Sequence, residues 1–360
     1  MSALQKHGAN SYHKDGRTAD MLDFSSTVVA VPPPGDWKRK LSANLETLRF
    51  YPQPYAQGLA ITLEKRLGLP EGSVLVGNGS SECLSWIAQS LRGKRVLLET
   101  PCFGEYAVWL SRHGALLREI GADEPWSPEW KRLQKFVAKA HSFWLADPAN
   151  PSGLKMTAGE LRERAQYCRK RKILLVLDEA LRAQALKDPG SSSLKFTVKQ
   201  PGMLLVRSLS KGLGLPGLRL GYVVGHPKEI AKLGAFVDPW NVSSLAQAAG
   251  AWIFDEERRL AASRRRTLGS WKKDLLTRME TLPSGVMKAR ESDTGFFLVR
   301  LLGEVDDSRK LVTAMTKRGM LLRSCSSYGG WGTGNLRLNP RSPRDNARLI
   351  SELKRFYASL

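Results

Sequence analysis

The chain has 360 residues, 42% of them hydrophobic and 25% charged, a balance that excludes extended disorder and supports a core large enough to divide in two. Lysine and arginine number 56 against 34 acidic residues, a formal net charge of +22. The longest basic runs, RKRK at 169–172 and RRR at 264–266, are short and lack the interleaved aromatics of a nucleic-acid stacking surface, so nucleic acid is disfavoured as a partner.

The opening MSALQKHGANSYHKDG has no apolar core of the kind a signal peptide needs. Residues 1–40 read as an N-terminal arm, punctuated by VPPPG at 31–35. From about residue 57 short apolar runs alternate with amphipathic stretches. SVLVG, KRVLLE, SFWLAD, KILLVLDEA, GMLLVRSLS and LRLGYVVG read as buried strands, and SSECLSWIAQSLR and TAGELRERAQYCRKR as helices. The second of these helices opens with Thr157 and Glu160 at capping-box spacing. Near-continuous apolar strands separated by helices predict an α/β fold, a mostly parallel sheet with helices on both faces, over residues 41–235. Beyond residue 235 long helical segments precede the strand-like GFFLVRLL, GMLLRSC and NLRLNP and a last helix, which predicts a smaller α+β domain over 236–360. No segment is apolar over the ~20 residues of a membrane helix. The four cysteines (Cys83, Cys102, Cys168, Cys325) are too dispersed for a disulfide framework or a zinc site. The expectation is a soluble cytoplasmic protein with reduced thiols.

The chemistry gathers in loops that follow predicted strands, where an open α/β sheet binds its ligands. GNGSSE at 77–82 opens a helix, so its amides and the hydroxyls of Ser80 and Ser81 form an anion cradle. In DPANPSG (147–153) two prolines fix the backbone around Asn150. LLVLDEA delivers Asp178 at the end of a buried strand, a costly place for a carboxylate without a cationic partner such as a protonated ring nitrogen. Lys211 stands in SLSKGLGLPGLRLGY among small and apolar residues. That setting disfavours its charged form and frees the amine as a Schiff-base nucleophile. Ser208 and Arg219 flank it and suit a phosphate. GLGLPG at 212–217 matches the dinucleotide fingerprint literally, but a strand rather than a helix follows it, so the match is rejected.

The ordered set Gly79-Ser80-Ser81, Asn150-Pro151, Asp178, Ser208-x-x-Lys211 and Arg219 resembles the fold-type-I pyridoxal-phosphate (PLP) enzymes over nearly the whole chain. Within them the chain is similar to the histidinol-phosphate aminotransferase group and, more narrowly, to the L-threonine-O-3-phosphate decarboxylases of cobalamin biosynthesis. HGAN, LDFSS, FYPQP, PCFGEY and LLRSCSSY carry the narrower likeness. The resemblance implies an aspartate-aminotransferase-like fold, PLP as cofactor and a homodimer acting on a phosphorylated amino acid. By the same resemblance, Lys211 attaches the cofactor, Asp178 holds the ring nitrogen protonated, and Asn150 bonds the ring hydroxyl. Phe103 stacks on the ring, with Tyr106 a second candidate. Ser80, Ser81, Ser208 and Arg219 hold the cofactor phosphate, and Tyr51 reaches it from the neighbouring subunit. Arg337 matches the carboxylate-binding arginine, and His7 and Arg323 help bind the substrate's phosphate or carboxylate.

The sequence departs from the pattern in two places. The segment after DFS reads STVVAVPPP, with Thr27, Val29 and Ala30 in place of asparagine-rich polar groups. Leu181 stands where aminotransferases usually carry a tyrosine, the usual phenylalanine after Asp178-Glu179 is also absent, and Arg182 follows Leu181. Leu181, HGAN and LLRSCSSY favour decarboxylation of threonine or serine phosphate, while the altered arm is compatible with a changed substrate, such as serine phosphate in place of threonine phosphate, and with a divergent paralogue of lost activity. The alternatives are a histidinol-phosphate-type aminotransferase, or a PLP-fold binding protein that uses its basic surface.

Overall fold

A computed structural model describes residues 20–121, 130–187, 192–199, 201–329 and 333–360. After the short β1 (Leu22–Asp23), the chain builds a central sheet from β2 (Val74–Gly77), β3 (Arg95–Thr100), β4 (Leu116–Gly121), β5 (Ser142–Ala146), β6 (Leu174–Asp178), β7 (Met203–Ser208) and β8 (Gly221–Gly225). The order across this sheet is β2-β8-β7-β6-β5-β3-β4. β8 runs antiparallel to both neighbours and every other pair is parallel.

Alternation along the strands loads both faces with apolar side chains. Leu175, Leu177, Met203 and Leu205 pack on one face, and Val176, Leu204 and Val206 on the other. Helices cover each face, as buried parallel sheets require. Among the covering helices, Ala158–Lys170 carries the expected reciprocal cap, Glu160 N to Thr157 Oγ1 at 3.2 Å and Thr157 N to Glu160 Oε2 at 2.7 Å. β4 is the strand of this sheet that sequence reading missed. It is the sheet's edge, and LLREIG is largely solvent-facing, so it lacks the apolar run that betrays the inner strands.

A second sheet, in the order β12-β13-β10-β9, is built from β9 (Met287–Ala289), β10 (Phe297–Leu301), β12 (Arg323–Ser324) and β13 (Asn335–Leu338). β11 (Met320–Leu321) pairs in parallel with β1, so the start of the described chain docks beside this sheet. A 36-residue helix, Ser244–Met279, joins the two cores. Its Ala246, Ala249, Ile253 and Phe254 lie in the first, and its Leu275 in the core under the smaller sheet.

Candidate active site

A cavity of about 340 Å³ opens where the carboxyl ends of β5, β6 and β7 meet the segment 25–28 and the smaller sheet. Lys211 and Asp178 both line it. The period of two places Asp178 on the same sheet face as Val176, while Glu179 turns to the other face and is held by Arg207 and Ser193. Asp178 is 9% exposed. Burial pushes its carboxyl above the usual range, and the charge of Lys211 and a donor from Tyr106 draw it back. The Tyr106 hydroxyl donates to Oδ2 at 2.5 Å and the Ala180 amide to Oδ1 at 2.8 Å. Tyr106 is thus committed to orienting Asp178, whereas Phe103 lines the cavity with its ring edge-on to Tyr106, centroids 5.5 Å apart.

Lys211 is half-buried because it opens onto this cavity. Desolvation lowers its ammonium's pKa, Asp178 raises it, and Arg337 and Arg219 lower it further. A lysine so placed keeps a share of neutral, nucleophilic amine. Its own carbonyl accepts from Val29 N at 3.1 Å, which ties the arm to the lysine's loop.

The anion cradle forms at the start of helix Ser80–Ser90. Gly79, at φ 86° and ψ 160°, holds a conformation open essentially to glycine alone and caps this helix. A Cβ there would strike Nη2 of Arg219. The short turn Pro216–Leu218 presents Arg219 in the left-handed region, φ 53°, with Nη1 donating to Pro216 O at 3.2 Å. Gly221, the first residue of β8, is equally necessary, since a Cβ on it would run into the backbone of Gly79 and Ser80. The helix start, Ser80, Ser81 and Arg219 thus border one cavity, an arrangement that suits a phosphate. GLGLPG leads into this turn and then β8, not into a helix.

Asn150, Tyr328 and Arg337 form the opposite wall. Arg337 donates through Nη1 to Asn150 Oδ1 at 2.6 Å and to the Tyr328 hydroxyl at 2.9 Å, and through Nη2 to Ser25 O at 2.7 Å. The Tyr328 hydroxyl also donates to Asn150 Oδ1 at 3.1 Å. Two donors on Oδ1 leave the Asn150 amide nitrogen as the group available to a ligand acceptor. The arm above is pinned from several directions. Gln184 holds Thr27 O at 3.0 Å, and Asn339 holds Val28 O at 2.8 Å. Arg264, inside the helix's RRR run, holds Val31 O, Pro32 O and Gly212 O at 3.0, 2.6 and 3.2 Å. Ser25, Ser26, Thr27 and Val28 line the cavity, whereas Val29 is buried away from it.

Of the residues singled out in the sequence, the cavity gathers Ser80, Ser81, Phe103, Tyr106, Asn150, Asp178, Lys211, Arg219, Arg323 and Arg337. Ser208 ends β7 half-buried, with its hydroxyl 3.5 Å from that of Ser210, and is not among the lining residues. Tyr51 is 85% exposed against Trp240, ring centroids 5.5 Å apart, and takes no part in this chain's own cavity. His7 lies outside the described residues. Tyr328 is the addition; it closes LLRSCSSY, the motif that also contains Arg323, and that shared motif was the available signal.

A buried carboxylate facing an amine of lowered pKa, an aimed amide and a helix-borne phosphate cradle, all at strand ends of an α/β sheet, define a fold-type-I PLP site. The cofactor is pyridoxal 5′-phosphate, and the glycine-walled cradle and the Lys211–Asp178 pair fit its phosphate, aldehyde and ring nitrogen. The chain belongs to the aminotransferase class I and II family, whose profile matches residues 19–353. It is 28% identical over 342 residues to threonine-phosphate decarboxylase of Salmonella typhimurium, covering 93% of this chain and 90% of that one. It is 27% identical over 348 residues to histidinol-phosphate aminotransferase 2 of Ralstonia nicotianae, covering 93% and 88%. Its fold superimposes on crystalline L-threonine-O-3-phosphate decarboxylase of Porphyromonas gingivalis with a TM-score of 0.82 at 25% identity, covering 94% of this chain and 100% of that one.

Proposed function

We propose that this protein decarboxylates an O-phospho-amino acid, L-threonine O-phosphate or L-serine O-phosphate, to the corresponding amino-alcohol phosphate, as cobalamin nucleotide-loop synthesis requires. The observation that carries the choice over amino-group transfer is Leu181. It is buried, lines the cavity one turn beyond Asp178, and offers no hydroxyl to the ring. Arg323 and Arg337 on the same wall suit a substrate with two anionic groups. Likeness to decarboxylases and aminotransferases at nearly equal identity supports both chemistries.

PLP supplies an electron sink for the bond broken at the substrate's α-carbon. The protein's part is to choose that bond and manage the proton. Asp178, fixed by Tyr106 and Ala180, would hold the cofactor's ring nitrogen protonated. Asn150 would donate to its ring hydroxyl, and Ser80, Ser81 and Arg219 would hold its phosphate. Arg337 would bind the substrate carboxylate and Arg323 the side-chain phosphate. Lys211 would carry the cofactor, and its amine of lowered pKa would be the group placed to return a proton to the substrate's α-carbon.

A homodimer accompanies this reading. Leu45, Leu48, Phe50, Tyr51, Tyr55 and Trp240 are exposed apolar residues, with Tyr51 against Trp240, and suit a surface that a second subunit covers. Pairing through it would bring Tyr51 to the neighbour's cofactor phosphate.

Incubating the PLP-loaded protein with each phospho-amino acid, and assaying carbon dioxide and amine product together, tests the reading. Equimolar carbon dioxide and amino-alcohol phosphate are expected. Amino-group transfer from histidinol phosphate or glutamate to a keto acid, without carbon dioxide, would replace it with the aminotransferase.

A further inference from the structure

β12 and β13 pair antiparallel with Arg323 directly opposite Arg337. Residues so paired have Cα atoms about 5 Å apart and side chains on one face, and like charges in that relation repel. Arg337 is 4% exposed. Among the described residues its hydrogen-bond acceptors, Asn150 Oδ1, the Tyr328 hydroxyl and Ser25 O, are all neutral, and its Nε is buried without a partner. A buried cation served only by neutral oxygens is costly until an anion joins it.

Tyr328 stands between the two arginines and touches both by different parts of one ring. Its hydroxyl accepts from Arg337 Nη1, and its face carries the Arg323 guanidinium at 5.2 Å from the centroid. Arg323 is steadied further by Nη2 donating to Ser327 Oγ at 2.9 Å. The ring itself is buried at 4% exposure against Leu298 and Cys325, so it is a fixed spacer.

We propose that Tyr328 is the positioning residue that holds Arg323 and Arg337 at a set separation, and so selects substrates with a second anionic group on the side chain beside the α-carboxylate. The inference rests on the phospho-amino-acid reading of the site. It assigns the two functions of the ring separately. The hydroxyl fixes the guanidinium that meets the carboxylate, which every amino acid carries. The aromatic face fixes the guanidinium that meets the phosphate, which only the phosphorylated one carries.

The separation is tested by titrating the PLP-loaded full chain with O-phospho-L-threonine and with L-threonine, following the cofactor's visible absorbance, in wild type, Tyr328→Phe and Tyr328→Leu. The wild type is expected to prefer the phosphorylated ligand by at least roughly tenfold, the worth of one charge-assisted hydrogen bond. Tyr328→Phe keeps the ring and loses the hydroxyl, so both ligands weaken together, by about tenfold, and their ratio holds. Tyr328→Leu also loses the cation–π face, so the ratio itself falls, by roughly tenfold. A general loss of packing would weaken both ligands alike and could not move the ratio in one variant alone. A wild-type ratio in Tyr328→Leu, or unchanged affinities in Tyr328→Phe, overturns the proposal while leaving the phospho-amino-acid reading intact. Equal binding of the two ligands by the wild type overturns both.

Discussion

Gly79→Ala is the sharpest probe of the phosphate cradle, because the structure assigns it two separate costs. The backbone at φ 86° and ψ 160° lies where a residue with a Cβ is strained by about 1–3 kcal/mol. The new methyl also meets the Arg219 guanidinium, with Cζ 3.0 Å away and Nη2 closer still, so the guanidinium has to shift from its place. Losing its charge-assisted bond to phosphate costs about 1.5–3 kcal/mol, a rise of roughly tenfold to a hundredfold in the dissociation constant for PLP. Cofactor affinity is read by absorbance titration of the apo protein, and the backbone cost by denaturant unfolding without cofactor. Competition by inorganic phosphate isolates the cradle from the rest of the site. Gly234→Ala, at a helix end with nothing within 4 Å of the added carbon, serves as the neutral control. Wild-type PLP affinity in Gly79→Ala would refute the argument that Gly79 exists to seat Arg219.

Lys211→Ala is expected to abolish both turnover and the visible absorbance of lysine-bound cofactor, and a retained spectrum would dismiss Lys211 as the attachment point. Arg264→Leu leaves the carbonyls of Val31, Pro32 and Gly212 without their donor; stability should fall by on the order of 3 kcal/mol and the substrate KM rise as the arm loosens, and an unchanged unfolding midpoint would count against the clamp. Glu257 is pushed up to about 7 by burial, against the pull of Arg207, Arg264 and Arg182. Because this pKa lies above the unfolded value, the protonated form is the one the fold favours. The wild type therefore loses stability as pH rises from about 4.5 to 7, whereas Glu257→Gln does not. The shift sets a ceiling of about 3 kcal/mol, and the half-burial of the side chain reduces it to on the order of 2 kcal/mol. Paired denaturation curves at pH 5 and 8 that differ equally for both proteins would remove Glu257 as the cause.

Most of the cavity's strand-end residues were readable from the sequence because each part is local, whereas Ser208 and Tyr51, also expected there, do not line it. Strand β6 ends at Asp178, helix Ser80–Ser90 starts at its serines, and Lys211 and Arg219 occupy one turn between β7 and β8. A buried strand announces its end by its apolar run, and a side chain at that end falls on a face set by the period of two. Tyr106 shows where locality stops. PCFGEY marks it as an aromatic near the ring, but its bond to Asp178 joins residues 72 positions apart, and nothing in either segment specifies it.

The substrate half is assembled almost wholly from such distant pairs. Arg337 reaches Ser25 across 312 positions, Asn150 across 187, and Asn339 reaches Val28 across 311. What joins them is the docking of β1 on β11 and the facing of β12 by β13, and neither two-residue strand, β11 or β12, is long enough to show a period. This division has a chemical consequence. The arm contributes Thr27 and Val28 to the cavity, and it is held by its carbonyls, to which Gln184, Asn339, Arg337 and Arg264 all donate. Side chains on a segment fixed through its backbone are free to change without moving the segment. Of the departures from an asparagine-rich arm, Thr27 alone lines the cavity, whereas Val29 is buried and tied through its backbone to the Lys211 loop.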